Sequence, residues 1–133
     1  MDDVADEGRA VLDTSVVVAQ GITPIPGLVT ISAATVAELH FGVLVAMSEA
    51  VRAERLRRLA VLQRRFDALP VDDAVAASYG ELAAAVVRIG RQPRARTLDL
   101  IIAATAHAHS ARLYTRNPDD FVGLEELVEV LAV

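Results

Sequence analysis

Residues 9–20 read RAVLDTSVVVAQ. A short apolar run at 10–12 ends at a lone carboxylate, Asp13, and two hydroxyl residues, Thr14 and Ser15, precede a second apolar run. This pattern predicts a buried strand that delivers Asp13 to its C-terminal end, with Thr14 or Ser15 capping a short helix. Ligands of open parallel α/β sheets collect beyond the carboxyl ends of the strands, so an acid placed there stands where chemistry occurs. A single Asp after a strand also serves as an ordinary turn or cap residue. What sets Asp13 apart is the set of isolated acids further along the chain.

Working outward, residues 1–8 form an acidic, flexible tail, and GITPIPG at 21–27 reads as a loop because of its two prolines and two glycines. Residues 28–32, LVTIS, predict a second strand. Residues 33–47 carry Val36, Leu39, Val43, Leu44 and Met47 at helical spacing, with Ser32 or Thr35 placed to cap the start. Residues 49–66 predict a charged amphipathic helix with Val51, Leu56, Leu59, Leu62 and Phe66 inward, and 69–71 a short strand. An Ala-rich helix over 73–89 starts at Asp72 and ends at Gly90. RQPRAR at 91–96 is a basic loop closed by Thr97, which caps a helix over 98–110. A strand at 112–115, a turn at NPDD, a helical turn at 124–127 and a strand at 128–133 complete the chain. Strands alternating with a majority of helix give one domain over 1–133, an α/β/α sandwich with a mainly parallel central sheet.

Composition narrows the function. A chain of 133 residues buries about two thirds of its unfolded surface, so a core without staples is feasible. Cysteine is absent, which excludes disulfides and thiolate zinc sites and suits a reducing, cytoplasmic setting. No apolar run reaches the ~18 residues of a membrane span, and the acidic N-terminus is no signal peptide. The net charge of −5 argues against a protein that coats nucleic acid by bulk electrostatics, though not against an enzyme that touches a few phosphates. All 13 basic residues are Arg, so a Schiff-base or phosphate-loop lysine is excluded and every cationic contact is a guanidinium. The first Arg cluster, from Arg52 to Arg65, reads as a solvated helix face, since Glu49 and Glu54 lie on the same helix.

Three acids stand alone in apolar surroundings: Asp13, Glu38 in VAELHFG, and Asp99 in TLDLIIAA. An uncompensated charge in such a place costs several kcal/mol, and a metal ion would compensate all three at once. Asp99 falls in the first turn of its helix, where the dipole favours the ionised form that a hard cation requires. The predicted strand ends and helix starts bring the three to one edge of the sheet. NPDDF then adds Asn117, Asp119 and Asp120 after another strand, on that same edge.

These residues, in this order, resemble the signature of the PIN domains: Asp13-Thr14-Ser15, Glu38 followed by Gly42, Asp99 followed by Ile102-Ala103-Ala104, and Thr115-Arg116-Asn117 leading into Asp120-Phe121. The likeness is strongest to the VapC toxins of bacterial toxin–antitoxin pairs and spans residues 10–133. The resemblance implies a Mg²⁺- or Mn²⁺-dependent endoribonuclease, usually dimeric, expressed with a VapB-type antitoxin that blocks it. It assigns catalysis and metal binding to Asp13, Glu38, Asp99 and Asp120, with Asn117 as a further polar member. Spacing alone does not choose between Asp119 and Asp120; an acid directly before Phe is the family's pattern, and it favours Asp120.

The chemistry agrees with that assignment. All-oxygen donors select Mg²⁺ or Mn²⁺, and two such ions roughly 3.5–4 Å apart serve phosphodiester hydrolysis. Thr14 or Ser15 is placed to orient a water at the ion, and Arg94, Arg96 and Arg116 are candidates for gripping flanking RNA phosphates. His107 and His109 lie two apart on one helix and point to opposite sides, so they form no zinc pair; with His40 they receive no role. Aromatic residues are only 4%, too few for extensive base stacking. The helix over 36–47, with Val43 and Met47, beside the helix over 49–66, predicts a groove for an amphipathic antitoxin segment. A catalytically silent PIN-like module that binds RNA or protein is the alternative, and metal titration separates the two. A phosphoacceptor receiver domain fits poorly, because that fold resembles a system needing a lysine on a late strand.

Overall fold

The structure, a computed structural model, describes residues 8–19 and 24–133. The predicted tail at 1–7 and the first part of the 21–27 loop lie outside the described residues. Strands β1 (Arg9–Leu12), β2 (Leu28–Ile31), β3 (Arg112–Thr115) and β4 (Val130–Ala132) form one sheet in the order β2-β1-β3-β4. Every neighbouring pair is parallel, and Val11 of β1 pairs with Thr30 on one side and Leu113 on the other. A central parallel strand is covered on both faces, which explains why β1 is apolar at consecutive positions rather than alternately.

Among the described residues five α-helices complete the fold: α1 (Thr14–Val17), α2 (Ala33–Leu44), α3 (Glu49–Arg65), α4 (Asp73–Arg88) and α5 (Thr97–Ala108). On one face, Leu82 and Val86 of α4 and Leu100 and Ile102 of α5 pack with Val11 and Leu113. On the other, Ala10, Leu12, Ile31 and Tyr114 meet Val16 of α1, with Val36 of α2 and Phe66 beyond α3 alongside. Adjacent strand residues thus feed opposite cores, the period-two alternation of a strand. The result is the expected α/β/α sandwich. No helix among the described residues is long and apolar enough to cross a membrane.

Several local expectations are corrected. Ser32 does not extend β2; it leaves the strand and caps α2, its Oγ accepting the Ala34 N–H at 3.0 Å. The predicted strand at 69–71 is a single bridge between Leu69 and Ser32, tied by Leu69 N–H to the Ile31 carbonyl at 2.9 Å. Neither Thr14 nor Ser15 caps α1, because Asp13 holds the N-cap position and both hydroxyls turn to carboxylates instead. Thr97 lies inside the first turn of α5 rather than capping it, and its hydroxyl donates to the Arg94 carbonyl at 3.2 Å, closing a 3₁₀ turn over Pro93–Arg96. Helix α2 stops at Leu44, leaving Leu44 74% and Met47 99% exposed. Of the residues predicted inward on α3 only Leu59 is fully buried, because α3 packs on α2 at the rim and not on the sheet; Val51 and Leu56 are exposed.

Candidate active site

Parallel strands end together, so β1, β2 and β3 deliver their following residues to one edge of the sheet. Asp13 follows β1 directly and is only 4% exposed. Its Oδ2 accepts two hydroxyl hydrogen bonds, from Ser15 at 2.7 Å and from Thr115, the last residue of β3, at 2.9 Å. Among the described residues none is donated to Oδ1, which keeps its lone pairs for another partner. Thr115 is fully buried and in turn accepts the Asn117 N–H at 2.9 Å, while Ser15 accepts the Arg116 N–H at 3.1 Å. The strand-end backbone therefore fixes the hydroxyls that fix Asp13.

Glu38 sits one turn into α2 from its Ser32 cap, half-buried. The Thr14 hydroxyl donates to its Oε1 at 2.6 Å and contacts the buried Thr35 hydroxyl at 3.0 Å. Asp99 occupies the first turn of α5, its side chain 29% exposed. Asp120 lies in the 3₁₀ turn Pro118–Phe121, anchored by the buried Phe121, and its side chain is 32% exposed; Asp119 beside it is exposed. The Arg96 guanidinium donates to Asp120 and stands 3.8 Å from Asp99.

Electrostatics couples Asp99 to the other three acids. The carboxyl of Asp99 is pushed up to about 6, first by burial and then by the charges of Asp13, Asp120 and Glu38, against which Arg96 pulls only weakly. Among the described residues no three carboxylate, imidazole or thiol groups close into a ready-made metal cage. The acids stand around a common space with hydroxyls and the Arg96 guanidinium among them, as mutual repulsion in a partly dry site demands. Hard oxygen donors, a buried carboxylate with one free oxygen and an excess of negative charge are the chemistry that a small divalent cation fits.

Of the predicted site residues, the structure brings Asp13, Thr14, Ser15, Glu38, Asp99 and Asp120 to this edge. Asn117 begins the same turn through its backbone, with an exposed side chain. Arg96, a candidate for gripping a flanking phosphate, donates to Asp120 and stands beside Asp99. Arg94 and Arg116 are exposed. Thr115 and Thr35 went unassigned in the sequence reading. The signal for Thr115 was a hydroxyl at the end of the strand neighbouring β1; none marked Thr35 beyond its place one turn before Glu38. His107 bonds Ser78 through Nδ1 at 2.7 Å and His109 contacts Arg9 at 3.1 Å, both away from the acids.

Comparison with known proteins agrees with this architecture. The PIN domain model matches residues 10–126. The chain is 36% identical over 126 residues to Ribonuclease VapC5 of Mycobacterium tuberculosis, covering 90% of each protein. It superposes with a TM-score of 0.82 and 38% identity on a chain of VapBC-5, a member of the VapBC family of toxin–antitoxin systems from the same species, covering 94% of this chain and 98% of that one. FitAcB from Neisseria gonorrhoeae gives a TM-score of 0.73 at 30% identity, covering 92% and 96%. The ordered acids, the parallel sheet that groups them and these likenesses lead to one conclusion: the chain belongs to the PIN domain family and, within it, to the VapC branch.

Proposed function

We propose that this protein is a divalent-metal-dependent endoribonuclease and the toxin of a toxin–antitoxin pair. One observation carries the reading: the Asp99 carboxyl is pushed up to about 6, first by its burial and then by the charges of Asp13, Asp120 and Glu38, so acids from three other segments lie close enough to act on it. Relatives that are named VapC ribonucleases supply the substrate class. In this reading Asp13, Glu38, Asp99 and Asp120 hold Mg²⁺ or Mn²⁺. When bound, the ion supplies the positive charge that activates a water and steadies the departing oxygen of the phosphodiester.

The chain's own residues do the positioning. Ser15 and Thr115 hold Asp13 by one oxygen and so aim the other into the site. Thr14 holds Glu38, and its hydroxyl is placed to orient the attacking water. Arg96 balances Asp120 and lessens the repulsion on Asp99. In the metal-free chain Asp99 keeps its proton below about pH 6, and an ion has to displace that proton, so metal binding, and cleavage with it, should weaken in acid.

The partners follow from the same reading. A VapB-type antitoxin is supported by the solved VapBC complexes, and the exposed Phe41, Leu44 and Met47 of the α2 end are the apolar surface offered to it. Val43, placed in that groove by its spacing, is 7% exposed and points into the core instead. A homodimer and a cytoplasmic location belong to the same proposal, and sedimentation checks the first. The deciding experiment sequences 5′ ends of cellular RNA after induction of the wild type and of Asp99→Asn. New ends at defined sites with the wild type alone support the reading, and equal ends with both overturn it.

A further inference from the structure

Beside the acids, between α1, α2 and α3, lies a cavity of about 380 Å³, within the size range of small-ligand sites. Thr14 and Glu38 of the acidic site line it, with Leu39 and Leu59 as an apolar floor and with Arg55 and Arg58 of α3. Neither guanidinium forms an ion pair among the described residues, whereas Arg57, turned elsewhere on the same helix, is spent on Glu54 at 2.5 Å. Main-chain oxygens hold the two in place: Arg55 donates to the Gly42 carbonyl at 2.7 Å and Arg58 to the Val18 carbonyl at 3.2 Å. Each bond engages part of a five-donor fork, so both keep donors for an anion. Gly42, whose carbonyl Arg55 holds, presents no side chain, and a Cβ built there meets nothing within 4 Å, so the wall beside it is open.

We propose that this cavity is a nucleotide subsite of the RNA strand next to the scissile bond, with a base or ribose on the Leu39–Leu59 floor and its phosphate held by Arg55 and Arg58. The inference rests on the ribonuclease reading and adds to it the residues that position the strand. Two unpaired guanidiniums beside an apolar floor match a nucleotide, which is anionic at one end and flat and apolar at the other. They also give an acidic protein a local attraction for a polyanion beside its catalytic edge.

The test measures binding of a fluorescein-labelled single-stranded oligoribonucleotide of mixed sequence by anisotropy, in EDTA so that the strand stays whole, over a roughly tenfold range of salt. Arg55→Gln/Arg58→Gln should weaken binding at least about tenfold and flatten the log–log salt dependence by about 0.7, the share of one phosphate on a single strand. Gly42→Leu, which fills the open wall of a helix that gains from losing a glycine, should weaken binding without changing the slope. Equal affinity and slope in the wild type and the double variant would overturn the subsite and leave only carbonyl capping for the two arginines. Loss of binding for an amphipathic acidic peptide but not for RNA would assign the cavity to a protein and also overturn it. If the wild type binds no RNA in EDTA, the subsite falls, while the ribonuclease reading stands or falls separately on cleavage of RNA with Mg²⁺.

Discussion

At the scale of single residues, Asp99 titrates near 6 in the folded chain against 3.8 for its ordinary value. Between those values the folded protein binds a proton that the unfolded chain has released, so stability falls as pH rises through the window and the full penalty stands above it. Asp99→Asn removes the penalty. In EDTA at neutral pH the variant should be more stable by on the order of 2 kcal/mol after solvent screening, and the gain should shrink toward zero as pH falls to about 4. Denaturant melts at several pH values check this, and a gain independent of pH would contradict it. Asp120 and Asp119 give a second prediction. Only Asp120 faces Arg96 and Asp99, so Asp120→Asn should lower cleavage at least ~tenfold, a barrier change of about 1.4 kcal/mol, and Asp119→Asn by less than about threefold. Cleavage rates at saturating Mn²⁺ decide it. Asp13, Glu38 and Asp99 were legible in the sequence because each stands alone in an apolar stretch, whereas Asp120 was separated from its neighbour Asp119 only by the family's pattern. The hydroxyls of Thr115 and Thr35 were not, since a buried threonine at a strand end or in a helix reads as ordinary β-branched core until its partner across the chain is known. The ion pair of Arg96 was not legible for a related reason: the turn that brings Asp120 to it lies 24 residues on.

At the scale of elements, the strands and α4 and α5 follow the expected pattern closely, because their apolar residues face a core on one or both sides. Helix α3 departs from it. Its sequence offers a broad apolar stripe, but the helix leans on α2 at the edge of the fold, where one buried residue, Leu59, suffices. Amphipathic spacing reports which residues share a face and not whether a neighbour covers that face. The same limit explains the short α2, whose C-terminal apolar residues lie beyond any covering element. Helix α5 ends with Ser110 at φ 52, a left-handed conformation that a side chain disfavours and glycine accepts. Ser110→Gly should therefore raise stability by about 0.5–1 kcal/mol, read as a higher midpoint in denaturant at unchanged slope. A lowered midpoint would show that the serine side chain contributes more than its backbone costs. The glycine that ends α4, Gly90 at φ 80, already uses this device.

At the scale of the whole molecule, a parallel sheet gathers the residues that follow its strands, and a chain with net charge −5 places its isolated acids there. That concentrates repulsion at one edge, where Asp99 registers it, and leaves the guanidiniums of α3 and of the 91–96 turn to flank it on two sides. The architecture was readable from strand–helix alternation, whereas the cavity beside Glu38 was not, because it arises from the way α3 leans on α2 across 13 or more residues of sequence. The central claim is that the four acids work together with a divalent ion to cut RNA. Its most direct test is cleavage of a labelled cellular RNA by purified protein, first with EDTA, then after excess Mg²⁺ or Mn²⁺, for the wild type and for Asp99→Asn. The account predicts no cleavage in EDTA, recovery with either ion for the wild type, and none for Asp99→Asn; undiminished cleavage in EDTA, or wild-type rates from Asp99→Asn, would contradict it.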